Sequence, residues 1–125
     1  MKVSKRKFIK VVKQLIKNNG EYGILFKYIN YEIENATQGI KDIYFKNDNE
    51  YQEKMLILLG KISTYKHIQG MIMMAFDTKQ NIKDFKHSLL HIYYNLTSIE
   101  NSNTTKETLY CFYENVDKII GEKNA

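Results

Sequence analysis

Residues 78–101, TKQNIKDFKHSLLHIYYNLTSIEN, set Ile82, Phe85, Leu89, Ile92, Leu96 and Ile99 apart by alternating steps of three and four. That spacing returns one apolar side chain per turn to a single helix face, so the stretch predicts a helix with a heptad seam. The seam runs for only about three heptads, which suits a face packed inside a bundle better than a free coiled coil. Asp77 with Gln80 reads as a capping box that opens this helix at about residue 78.

Upstream, Ser4 is an N-cap and Gly20 a stop for a first helix over about 4–19. Phe8, Val11, Val12, Leu15 and Ile16 form its packing face, with a row of lysines opposite. A second helix over about 22–46 gathers Leu25, Ile29, Glu32 or Ile33, Ala36, Ile40 and Ile43 on one side and tolerates Gly39. After the turn signal at 46–49, a third helix over about 50–76 is apolar nearly all round, which predicts a place at the centre of the bundle. Gly60 and Gly70 either admit a close neighbour there or break the helix in two. Downstream, Asn101, Ser102 and Asn103 read as a loop, and Thr104 with Glu107 as a second capping box. A last helix over about 105–120 then carries Leu109, Phe112, Val116 and Ile119 to a stop at Gly121.

Composition agrees with this reading. With 125 residues and 14.8 kDa the chain has room for one domain, 1–125, and its 43% apolar and 26% charged residues are ordinary globular usage. It contains no Pro and 6 Gly, so the punctuation of sheets and hairpins is nearly missing. The expected fold is all-α, a compact four- to five-helix bundle with short loops. A single cysteine, Cys111, excludes an intramolecular disulfide and suits a reducing compartment, so a cytoplasmic protein is expected. The longest apolar runs, Met55–Leu59 and Met71–Phe76, are far short of the roughly 20 residues that span a bilayer, and no membrane association or secretory signal is expected. Abundant Lys, Ile, Asn and Tyr beside a lone Arg6 reflect an AT-rich genome.

Charge is concentrated in one place. Residues 1–20 hold seven cations and no acid, while the rest of the chain sets 12 Lys against 14 carboxylates, leaving the net charge at +5. A helix with cations and no acid creates a strong local potential suited to the phosphates of nucleic acid or to an acidic protein surface. The candidate binding residues are Lys5, Arg6, Lys10, Lys13 and Lys17. Lysine lacks the bidentate fork that reads guanine, so contact with phosphate would tolerate any base sequence.

The fourth helix holds a second constellation. Asp84, His87 and His91 share a face turned away from the seam. Two histidines at i, i+4 beside a carboxylate suit zinc, but a catalytic site needs three well-placed ligands, and no His-Glu-x-x-His acid is present. Exposed histidines are the plainer reading, and no metal or cofactor is expected. The stretch Phe85-Lys86-His87-Ser88-Leu89-Leu90-His91-Ile92-Tyr93 resembles the signature of HEPN ribonucleases, with Lys86 where that family has Arg, followed by His87, His91 and Tyr93. The resemblance covers nine residues. It implies a dimer that cleaves RNA without metal, Lys86 stabilising phosphorane charge and His91 moving the 2′-hydroxyl proton. The same stretch is similar to the His box of one group of sensor kinases, which implies phosphotransfer through His87, although Ser88 stands where an acid belongs.

Ten tyrosines spread over every helix but the first suit interfaces or base stacking, and Tyr93 and Tyr94, being adjacent, cannot both face the seam. Cys111 reads as a buried thiol and His67 as a hydrogen-bonded core residue. No phosphate loop, Ser-His-Asp order or catalytic carboxylate pair occurs. The expected protein is a non-enzymatic regulator or inhibitor, free of cofactors and encoded on a phage or other mobile element, which binds nucleic acid or an acidic protein and pairs as a homodimer.

Overall fold

The computed structural model describes residues 4–17, 20–46, 50–96 and 103–124. Within them the chain forms an all-α bundle of α1 (Lys5–Lys17), α2 (Glu21–Lys46), α3 (Tyr51–Asp77), α4 (Ile82–Leu96) and α5 (Asn103–Asn124). The α2–α3 pair forms the most extensive contact; α5 packs on both and carries α4, and α1 lies across α2 and α3. Each helix delivers its periodic apolar residues to one core: Leu15, Leu25, Ile29, Ile68, Ile72, Phe85, Leu89 and Val116 are almost fully enclosed.

Ser4 caps α1 as expected, its hydroxyl accepting from the Lys7 amide at 3.2 Å. The carbonyl of Gly20 receives the first amide of α2, from Ile24, at 3.0 Å. The helices expected to reach residue 19 and residue 101 are described to Lys17 and Leu96, so residues 18–19 and 97–102, including the seam residue Ile99 and most of the expected loop, lie outside the described residues, as does the turn at 47–49.

Two boundaries differ from expectation. The fourth helix does not open at 78. Instead α3 closes with the Gln80 amide on the Ala75 carbonyl at 2.9 Å and the Lys79 amide on the Phe76 carbonyl at 3.2 Å, the paired bonds of a Schellman motif. Asn81 then caps α4, its side-chain oxygen 2.8 Å from the Asp84 amide. The turn requires a left-handed residue, and Lys79 fills that position at φ 56° where glycine is usual. Lys79→Gly is therefore expected to stabilise the fold by about 1 kcal/mol, seen as a higher urea midpoint, because it relieves the steric cost of a side chain in this region. The last helix starts at Asn103, two residues early, and runs through Gly121. Gly121 keeps a negative φ, so it weakens the helix without stopping it.

Gly60 marks a close approach and does not break α3: a Cβ there would lie 3.2 Å from Thr104 Cγ2 on α5. The expectation that α3 is enclosed all round holds only for one side of its C-terminal half, where Thr64, Ile68, Ile72 and Ala75 are buried. Leu56, Leu59 and Met74 are 71%, 50% and 60% exposed, since α1, α2 and α5 together cover one side of a 27-residue helix.

Tyr22 ties α2 to the α3–α4 turn. Its ring meets Phe85 edge-on at 5.5 Å, and its hydroxyl donates to the Gln80 carbonyl at 2.7 Å. Burial, then the carboxylates of Glu21 and Asp84, push this phenol from 10.0 up to about 12. A raised value means the fold favours the protonated phenol, so its contribution is complete below pH 10 and is lost as pH rises through 12. Tyr22→Phe is expected to flatten this alkaline loss, measured as melting temperature against pH.

Candidate anion-binding face

The geometry of α1 separates its residues into three stripes. Val11 and Leu15 are buried and fix the orientation of the helix. At about 100° per residue, Arg6, Lys10, Lys13 and Lys17 fall within an arc of roughly 60° on the solvent side. All four are exposed, and none has an ion-pair partner among the described residues. Successive members are about 4.5–6 Å apart along the axis, so the row is about 16 Å long. Lys5 is exposed too but sits on the flank of this row, and Lys7 turns the other way to meet Asp77 at 3.0 Å. Arg6, Lys7 and Lys10 form one wall of a shallow groove of about 430 Å³ that Asp77 closes from α3.

Electrostatics set this helix apart. Its first turn contains cations and no acid, against the macrodipole, whose positive end lies there. The arrangement costs stability, by about 0.3–1 kcal/mol for each cation near the terminus, and favours an anion at the same place. Between Lys5 and Lys13 around the helix lies an exposed apolar strip. Ile9 is 43% and Ile16 50% exposed, with Phe8 half-exposed beside the core face. Phe8 and Ile16 were expected in the core; α1 packs through Val11 and Leu15, with Val12 partly buried beside them, which leaves Phe8 and Ile16 at the edge.

Of the ribonuclease-like stretch, Lys86 and His87 line one shallow groove with Tyr113 and Asp117, while His91 does not take part in it. Lys86 points toward α5, its ammonium 2.8 Å from Asp117 and 5.4 Å from the centre of the Tyr113 ring. His87 and His91 are exposed on the outer face with Asp84, as their spacing predicts, about 100° and 140° round from Lys86. Among the described residues no group of three His, Cys, Asp or Glu side chains is arranged to hold a metal. Of the adjacent tyrosines, Tyr94 is the exposed one, and Tyr93 joins it to Tyr110 and Tyr113 in a chain of ring contacts at 5.5, 5.1 and 6.0 Å.

Two further expectations are corrected. Cys111 is exposed, because Leu109 and Phe112 take the core face of α5 and the two positions between them, Tyr110 and Cys111, turn outward. His67 is exposed as well, one position away from the fully buried Ile68. The Lys86–Asp117 pair went unread, since no local signal links residues 31 apart. Compared with protein-family models, curated proteins and solved structures, the chain matches none significantly.

Proposed function

We propose that this chain is a small non-enzymatic binding protein that docks on nucleic-acid phosphate through the exposed row Arg6, Lys10, Lys13 and Lys17 of α1, with Lys5 at its flank, and thereby regulates or blocks what else uses that nucleic acid. The observation that carries the reading is the row itself, four exposed cations on one stripe with no acid and no ion-pair partner among the described residues. Lysine predominates, so recognition follows the backbone and not the bases. The setting is the cytoplasm, and a regulator of this size suits a phage or other mobile element.

Exposed Phe8, Ile9 and Ile16 favour a second reading, an acidic protein surface with an apolar centre, because phosphate gives such side chains nothing to bury against. The HEPN-type alternative through Lys86, His87 and His91 has less support, since Asp117 already compensates the ammonium that would have to meet phosphate. Size-exclusion chromatography with light scattering, with and without a mixed RNA and DNA pool, tests the main reading. A complex that forms at low salt and dissolves at high salt is expected; no shift at any salt rejects nucleic acid and turns the search to protein.

A further inference from the structure

The uncovered side of α3 carries an ordered pattern. Leu56, Leu59, Ser63, His67, Gly70 and Met74 are all exposed, and at about 100° per residue they fall within an arc of roughly 80°, centred about 135° away from the buried Thr64–Ala75 line. Among the exposed residues of this arc Asp77, at its C-terminal end and paired with Lys7, is the one that carries a formal charge when histidine is neutral. The pattern is also palindromic about Ser63: Leu56 and Gly70 lie equally far on either side of it, as do Leu59 and His67. Large residues on one arm thus answer small or flat ones on the other.

We propose that this stripe is an antiparallel dimer interface between two copies of the chain, with the two-fold axis at Ser63. Under that symmetry Leu56 enters the space above the partner's Gly70, where an added Cβ would meet nothing within 4 Å, and the small Ser63 meets its own copy at the axis. Charge agrees with this orientation. Lys7 holds the first turn of α1 against Asp77 at the end of α3, and antiparallel pairing brings the partner's Glu53 to that cationic end. The area sets the strength. The stripe from Leu56 to Met74 is about 27 Å long and 10–12 Å wide, a footprint on the order of 300 Å² per copy and about 600 Å² in all, about half the roughly 1,200 Å² lower bound of stable interfaces, so the pairing is weak. A reversible dimer that fills only at high protein concentration is expected. The interface is independent of what α1 binds.

The test uses the full chain. Light scattering over a dilution series is expected to show mass rising from 14.8 kDa toward twice that value. Gly70→Leu fills the receiving space with a Cβ that meets nothing within 4 Å of its own chain and adds a better helix former, so it should keep or raise the melting temperature while weakening dimerisation at least tenfold. In a Cys111→Ser background, Ser63→Cys should form a covalent dimer on mild oxidation and Lys118→Cys, on the exposed side of α5, should not. A chain monomeric at every concentration, or a dimer that survives Gly70→Leu and cross-links equally through both cysteines, overturns the proposal.

Discussion

Lys10→Glu/Lys13→Glu/Lys17→Glu is expected to weaken nucleic-acid binding more than 100-fold while leaving the helical content of the chain intact. All three side chains are exposed on the face of α1 opposite Val11 and Leu15, so the packing that holds the helix is untouched. Surface substitutions of this kind usually move stability by less than about 0.5 kcal/mol each. The electrostatic change is large by comparison, because each substitution both removes a counterion-releasing contact and adds a repelling charge. With four phosphate contacts the native chain should show a salt slope of about −3 to −4, equivalent to roughly a hundredfold loss between about 50 and 200 mM salt. With one cation of the row left, the variant should lose both affinity and slope. Filter binding beside circular dichroism checks the two halves together; a folded variant that binds as well as the native chain removes α1 from the account.

Phe85→Ala should lower stability by about 3–5 kcal/mol, the range for deleting an enclosed aromatic ring. Phe85 is 1% exposed on the seam of α4, a helix whose main packing partner is α5 alone. Its ring is also the surface on which Tyr22 of α2 rests edge-on, so its loss opens a cavity between α4 and the α2–α3 pair. Since small domains are stable by about 5–15 kcal/mol in total, the variant should be close to unfolding at ordinary temperature. Urea denaturation of native chain and variant gives the difference directly. A loss under about 1 kcal/mol would mean that α4 is not seated as described.

The helical fold was legible because its signals are local and repeated. The seam residues Phe85 and Leu89 and the α5 residues Leu109, Phe112 and Val116 face the core as their spacing predicts. The α3–α4 boundary was misread because the αL position is held by Lys79, which gives no glycine signal, while Asp77 and Gln80 imitate a cap; Asn81 was the available clue. The cationic row of α1 was readable for the same reason as the seam, a helical period. The exposure of Phe8 and Ile16 was not, since both share the helical period of the packing residues and only the tertiary seating of α1 decides which are covered. Likewise the apolar surround of α3 could not reveal that one side stays open, and the Lys86–Asp117 contact joins helices that no local pattern relates.

The most direct test of phosphate docking by α1 is fluorescence anisotropy with short labelled RNA and duplex DNA of unrelated sequence, titrated at several salt concentrations with single alanine variants. The account predicts similar affinity for unrelated sequences, and a salt slope reduced by about one for each of Arg6→Ala, Lys10→Ala, Lys13→Ala and Lys17→Ala but unchanged for Lys118→Ala. Slopes that ignore the α1 substitutions, or fall equally with Lys118→Ala, would contradict it.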